Sequence, residues 1–239
     1  DTLNLQIDLN KISKVVIIGS GLGGLTCGYI LQKNGYDVSI LEQGIQLGGC
    51  LQCFVRKGAK FETGMHFIGS AATGQTMDRI FNFLDIKDQI KLSSLDTKAY
   101  NTISLAGSEF SIPNGIENFY NAMSSYFPHE SDALRKYIDI VDRISSASSL
   151  NSLTSSNRDI AANTEYQLRT INDVLDELFT DEMIKNVLVG DLSLYSAEYD
   201  KTPFSQHAFI MDFYNQSSYR IAGGSDTIAL SLIKNIEQL

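Results

Sequence analysis

The chain has 239 residues, 43% hydrophobic and 20% charged, long enough for one large domain or two modest ones with cores of their own. Its 19 lysines and arginines face 28 acids, a net charge of −9, and no basic stripe exists to displace counterions from a phosphate backbone, which excludes a nucleic-acid partner. No apolar run approaches the roughly 18–20 residues of a membrane span, and Asp1–Asn10 lacks the basic start and apolar stretch of a signal peptide, so the expected compartment is the cytoplasm.

The first expected element is the strand Lys14–Ile18 (KVVII), which runs into Gly19-Ser20-Gly21-Leu22-Gly23-Gly24, a G-x-G-x-x-G turn. Gly19 permits the tight turn, Gly21 lets the backbone approach a pyrophosphate, and Gly24 lets helix and strand pack closely. The helix beginning near Leu22 aims its unpaired N–H groups and positive end at the phosphates. Asn34-Gly35 stops that helix, and Asp37–Leu41 (DVSIL) is a second strand. Glu42 follows, 18 residues beyond Gly24, placed to hold the two ribose hydroxyls of an adenosine. An acid there favours a plain ribose over a 2′-phosphate, hence FAD or NAD over NADP. The competing reading is an exposed Glu42 that holds no ligand.

Gly48-Gly49 comes next. Two adjacent glycines after a strand cost conformational entropy and bury nothing, so they mark a special turn or a close backbone approach, with a plain loop turn as the alternative. The three cysteines are Cys27, Cys50 and Cys53, an odd count that fits a reducing compartment. Cys50-Leu51-Gln52-Cys53 is a C-x-x-C, but a structural zinc site needs about two more ligands. The sequence has no second such pair and only His66, His129 and His207, so the two cysteines read as small packing residues near a cofactor.

The segments Gln43-Gly44-Ile45-Gln46-Leu47-Gly48-Gly49-Cys50-Leu51-Gln52-Cys53-Phe54 and Phe61-Glu62-Thr63-Gly64-Met65-His66-Phe67-Ile68-Gly69 resemble the flavoprotein family of phytoene desaturases, carotenoid isomerases and retinol saturases. The resemblance covers residues 14–69 and returns at Tyr219-Arg220-Ile221-Ala222-Gly223-Gly224-Ser225. It implies FAD, with NAD as a further co-substrate, with Gly48 and Gly49 bringing backbone close to the cofactor and Glu62–Gly69 passing near the isoalloxazine. The cofactor contacts it implies are Gly19, Gly21, Leu22, Gly23, Gly24, Glu42, Gln43, Gly48, Gly49, Cys50, Gly64, Met65 and His66. Many relatives have an arginine after the double glycine. Cys50 stands there instead, so no arginine contact to the pyrophosphate is carried over. His66 is the candidate catalytic residue, able to donate to a flavin carbonyl or shuttle a proton near neutral pH. A satisfied histidine in a turn between strands is the equal alternative.

Phe54–Arg56 and Lys60–Glu62 flank Lys57-Gly58-Ala59 as a short hairpin, and Ile103–Leu105 with Phe110–Ile112 flank Ala106-Gly107-Ser108 as a second, with a three-residue loop. Helices are expected where Ile116, Phe119, Tyr120 and Met123, then Leu134, Tyr137, Ile138 and Val141, recur at i, i+3, i+4 and i+7. Ser145–Ser156 holds seven serines and reads as a frayed end plus a polar loop or lid. Thr170 caps a helix with Ile171, Val174, Leu175 and Leu178, and a further helix carries Ile184, Val187 and Leu188. Thr202 caps a helix with Pro203 at its first position, followed by Phe204, Ala208 and Met211. These aromatic and Met stripes read as core, with an apolar substrate tunnel as the alternative. Gly223-Gly224-Ser225-Asp226 opens a last helix that turns Ile228, Ala229, Leu232, Ile233 and Ile236 inward.

The expected fold is α/β: a Rossmann-like FAD/NAD(P)-binding domain with an inserted α+β, helix-rich substrate domain. Residues 1–70 begin the FAD domain, 71–218 form part of the substrate domain, and 219–239 return to the first. In the family the chain resembles, further strands and a second glycine-rich segment follow, so the sequence reads as the N-terminal half of a protein about twice as long. The resemblance implies an FAD-dependent oxidoreductase acting on C–C bonds of a polyene or isoprenoid lipid. It also implies peripheral contact with a membrane that holds this substrate, and an unfinished half invites self-association. A NAD-dependent dehydrogenase and a non-catalytic lipid binder like the Rab GDP-dissociation inhibitors are the alternatives.

Overall fold

A computed structural model describes residues 14–153 and 160–238 of the chain. In chain order the elements begin with β1 (Lys14–Ile18), α1 (Leu22–Lys33), β2 (Asp37–Leu41), β3 (Cys53–Arg56), β4 (Ala59–Glu62), β5 (Ile68–Gly69) and α2 (Thr76–Phe83). There follow β6 (Leu92–Ser94), β7 (Asn101–Leu105), β8 (Ser108–Ile112), α3 (Ile116–Tyr126), α4 (Ser131–Ser146), α5 (Ser149–Ser152) and α6 (Ile160–Leu168). The last are α7 (Ile171–Leu178), α8 (Glu182–Leu188), α9 (Phe204–Gln216), β9 (Ser218–Ile221) and α10 (Asp226–Gln238). They form two compact units, the first from the residues up to Phe67, Arg79–Ser93 and Arg220 onward, the second from Ile68–Asp78 and Ser94–Tyr219.

The first unit is built on β1-α1-β2, with the strands parallel and in register from Lys14↔Asp37 to Ile18↔Leu41. Alternation along each strand sends Val15, Ile17, Val38 and Ile40 to the half-buried side and leaves Val16, Ile18 and Leu41 exposed on the other. Ile17 and Ile40 meet α1 where Gly28 keeps that helix thin. α10 packs on α1 and buries Ile228, Ala229 and Leu232, while Ile233 and Ile236 are half-buried. Arg79–Ser93 group with this compact unit. Phe81, Leu84, Ile86 and Ile90 are buried, and Asp85 accepts from the Tyr29 hydroxyl at 2.5 Å and from Lys33 Nζ at 2.6 Å, clamping the segment to α1. These are contacts across more than 50 positions, invisible to local periodicity.

The second unit gathers α3, α6, α7 and α9 around α4. Leu134, Tyr137, Ile138, Val141 and Ile144 form the buried stripe of α4, each contributing roughly 1.5–3 kcal/mol of apolar burial. Phe119, Met123, Phe204 and Ala208 are buried as core and Met211 is half-buried. Thr170 accepts from the Asp173 amide at 3.1 Å and Asp173 accepts from the Thr170 amide at 2.9 Å, a reciprocal capping box at the start of α7.

Three local expectations need correction. Both hairpin loops have two residues, not three, because Lys57 and Gly58 (φ 50° and 81°) and Ala106 and Gly107 (φ 51° and 82°) are all left-handed, the I′ geometry whose twist matches the flanking strands. Pro203 sits at the cap of α9 rather than inside it, and the Thr202 hydroxyl accepts from the Glu198 amide instead of capping that helix. Within Ser145–Ser156 the chain forms α5, held by Asn151, which donates to Ser145 O at 3.2 Å and Asp212 Oδ2 at 3.3 Å. Ser145 and Ser146 end α4, and residues 154–156 of the stretch lie outside the described residues.

Candidate functional site

In the first unit the strand β1 is followed by Gly19, whose φ of +98° turns the chain and whose amide donates to Leu41 O at 2.7 Å. Gly21 is the cap residue of α1 and offers no side chain to satisfy the first turn. The amides of Leu22, Gly23 and Gly24 have no acceptor among the described residues; the next, Leu25, bonds back to Gly21 O at 2.9 Å. Three free N–H groups and the positive helix end thus converge on one point, an arrangement that attracts an anion. The glycines differ in what demands them. A Cβ on Gly24 would lie 2.1 Å from the Gly19 carbonyl oxygen, so packing requires Gly24, whereas a Cβ on Gly21 would meet nothing within 4 Å among the described residues. Gly21 fits a cradle kept bare for a ligand.

Glu42, at the end of β2, is half-buried and fixed from both sides. Its Oε2 accepts from the Ser20 amide at 2.8 Å and the Ser20 hydroxyl at 2.7 Å, and its Oε1 accepts from the Gly44 amide at 2.8 Å. Donation by the Ser20 hydroxyl, then by the Ser20 and Gly44 amides, holds its pKa down at about 2, so it is ionised throughout the physiological range. The carboxylate therefore ties the glycine loop to β2 as well as presenting charge beside it. Sequence reasoning missed the Ser20 partner because a serine at the second position of the turn carries no periodic signal.

Gly48 and Gly49 come to the same loop. The Gly48 amide donates to Ser20 O at 3.1 Å, and a Cβ on Gly49 would stand 2.9 Å from Gly21 Cα, so the double glycine first serves contact with the glycine turn. A 3-10 turn over Gly49–Leu51 then carries the exposed Cys50, and the Thr63 hydroxyl and amide donate to Gln52 O at 2.9 and 3.1 Å. That pairing brings Gly64 against the Cys50 carbonyl. Met65 is half-buried, and Gln43 and His66 are exposed. Cys53 is buried, its Sγ 3.5 Å from Ser225 Oγ, which donates to Leu51 O at 3.0 Å. Lys60 Nζ bonds to Gly223 O at 2.7 Å and Asp226 Oδ1 at 2.8 Å, fastening the β3–β4 hairpin to the start of α10. Asp226 and the salt bridge between Glu62 and Arg220 hold the returning segment Arg220–Asp226 to the N-terminal one.

The second unit holds a buried polar chain that sequence reasoning did not single out. His207 lies between the Tyr137 hydroxyl, 2.9 Å from Nε2, and the Tyr195 hydroxyl, 2.8 Å from Nδ1. Burial pushes its pKa down to about 4, so the ring is neutral at pH 7, one nitrogen donating and the other accepting. A cavity beside Tyr137, lined also by Phe119, Val141, Met211 and Asp212, measures about 10 Å³, room for a single water.

The model of the NAD(P)-binding Rossmann-like domain matches residues 17–85. The chain is 29% identical over 250 residues to the all-trans-retinol 13,14-reductase of Homo sapiens, covering 94% of this chain and 39% of that protein. It is 28% identical over 128 residues to the 1-hydroxycarotenoid 3,4-desaturase of Flavobacterium sp. (strain P99-3), covering 53% of this chain and 25% of that protein. Among solved structures, an oxidoreductase from Methanosarcina mazei superposes with a TM-score of 0.66 at 17% identity, over 94% of this chain and 49% of that one. The fold is thus a mixed α/β one with a Rossmann-like domain, and the relatives are retinol reductases and carotenoid desaturases. The chain spans 39% of the length of the retinol reductases it matches. Among the described residues no helix is long and apolar enough to cross a membrane.

Proposed function

We propose that this chain carries the adenosine and pyrophosphate half of the FAD site of an oxidoreductase that acts on C–C bonds of a polyene lipid, of retinoid or carotenoid class. The observation that carries the reading is the meeting, at one loop, of three acceptor-free amides, the positive end of α1 and the ionised Glu42. The names of the relatives, one a retinol reductase and the other a carotenoid desaturase, support the substrate class.

In this reading the Leu22, Gly23 and Gly24 amides hold the pyrophosphate, with Gly21 bare so that backbone can come close. Glu42, acceptor-only and oriented in advance by Ser20 and Gly44, takes the ribose hydroxyls, with Gln43 beside it. The Gly48–Cys50 and Gly64–His66 segments, joined through Thr63 and Gln52, extend from the same loop toward the rest of the cofactor. FAD, when bound, supplies the hydride acceptor or donor, with NAD as the source of reducing equivalents for a saturating enzyme. His66 is the side chain on Thr63–Phe67 whose ring nitrogens could donate a hydrogen bond to a flavin carbonyl. Val16, Ile18 and Leu41, 62%, 89% and 57% exposed, form the bare face of β1–β2, and parallel strands are normally covered on both faces. The length of the relatives supports reading this face as the place where the remainder of a longer protein packs.

The test is an FAD titration, followed by flavin fluorescence, of the 239-residue chain beside a version extended to its relatives' length, then turnover with retinoid and carotenoid panels. We expect weak FAD binding by the chain, and tight binding with a polyene product for the longer protein. A longer protein without flavin would refute the cofactor assignment; tight FAD and steady turnover by the chain alone would refute the half-site.

A further inference from the structure

We infer that the β3–β4 hairpin is a docking element for a lipid surface bearing anionic headgroups. The inference stands on the hairpin itself and does not depend on flavin binding.

Register divides the hairpin into two faces. Cys53↔Glu62 and Val55↔Lys60 share one, which is engaged through the buried Cys53 and the Lys60–Asp226 pair. Phe54↔Phe61 and Arg56↔Ala59 share the other. On that face the two phenylalanine rings stack at 5.3 Å and remain 49% and 44% exposed. Immediately beyond them Arg56 and Lys57 are exposed and have no hydrogen-bond or ion-pair partner among the described residues. Gln46 Nε2 donates to Cys53 O at 2.8 Å, which ties the loop carrying the fully exposed Ile45 to the base of the hairpin.

Charge and shape point to the occupant. Lys60 is cancelled by Asp226 and Glu62 by Arg220, so Arg56 and Lys57 leave the hairpin with two uncompensated positive charges in a chain of net charge −9. Aromatic rings seat at the acyl boundary while arginine and lysine stems reach up to headgroup phosphates, and this hairpin carries Phe54, Phe61 and Arg56 on one face with Lys57 in the adjoining turn. A fully buried phenylalanine contributes about 150–250 Å². Two half-exposed rings with the fully exposed Ile45 therefore offer a few hundred square ångströms, short of the roughly 800 Å² per partner of a stable protein interface. An acidic bilayer attracts each nearby cation by about fivefold in affinity, so roughly 25-fold for two.

The experiment is co-sedimentation of the 239-residue chain with phosphatidylcholine vesicles, alone or with a third of the lipid replaced by phosphatidylserine. We expect binding to the anionic vesicles only, weakened by salt. The double variant Arg56→Gln, Lys57→Asn should lose roughly 25-fold while keeping the hairpin, since asparagine suits the left-handed first position of an I′ turn. Ile45→Ser, at a fully exposed position, should lower the remaining partitioning without touching the fold. Equal sedimentation with neutral vesicles, full binding by the folded charge variant, or self-association that depends on Phe54 and Phe61 would each overturn the inference.

Discussion

Replacing Gly24 by alanine, with Gly21→Ala as its partner, separates what the fold demands of the glycine loop from what a ligand demands. In Gly24→Ala the new Cβ would start 2.1 Å from the Gly19 carbonyl oxygen, against a floor of 3.0 Å for real contacts, so α1 and the loop must part by about 0.9 Å. The shift drags Leu25 and Tyr29, both almost wholly buried on α1, out of register with their neighbours. Overpacking against backbone of this kind costs about 3 kcal/mol, and alanine's better helix propensity returns about 1, leaving a net loss of about 2 kcal/mol. For a chain of this size that lowers the melting temperature by roughly 4–8 °C. In Gly21→Ala the added methyl meets no atom within 4 Å and the cap residue keeps its extended conformation (φ −67°), so stability should stay within about 1 kcal/mol of the parent. The assay is calorimetry or urea unfolding of both variants beside an ADP and FAD titration. Equal stability of the Gly24 and Gly21 variants, or undiminished nucleotide binding by a folded Gly21→Ala protein, would refute the division of roles.

Glu42→Gln should weaken FAD binding roughly ten- to hundredfold, the scale of losing hydrogen bonds to a charged acceptor, and unchanged cofactor retention after dialysis would count against Glu42 as the ribose ligand. Because the folded pKa of Glu42 is held at about 2, below its ordinary 4.5, the tie from β2 to the glycine loop contributes fully above pH 4.5 and is lost as pH falls toward 2; amide exchange at Ser20 and Gly44 reports it. His207 gives a second acid window. Its folded pKa of about 4 lies below the ordinary 6.5, so unfolding takes up a proton and the second unit loses about 3 kcal/mol between pH 6.5 and 4. A His207→Gln protein with the same acid slope would show that another group is responsible. Cys50→Ser with Cys53→Ser should leave flavin binding intact at a small cost in stability from the buried site, and loss of one equivalent of bound zinc on elemental analysis would show instead that the pair holds a metal.

The β1-α1-β2 unit was legible because every part of it is local. Strand, glycine turn, helix and acid fall within about 30 consecutive residues, and backbone sterics and period-2 and period-3.6 burial act over that range. The same holds for the stripe of α4 and the Thr170 cap. Turn length was misread at Lys57-Gly58 and Ala106-Gly107, because composition announces a turn while the twist of the paired strands selects its geometry. What sequence could not decide is which distant groups meet. Tertiary packing alone joined Glu42 to Ser20, Asp85 to Tyr29 and Lys33, Lys60 to Asp226, and His207 to two tyrosines. Tertiary packing also showed that a side chain at Gly24 would collide with the Gly19 carbonyl, while one at Gly21 would meet nothing within 4 Å among the described residues. Such pairings are set by the balance of burial and desolvation across the whole fold, and that balance leaves no period in the chain.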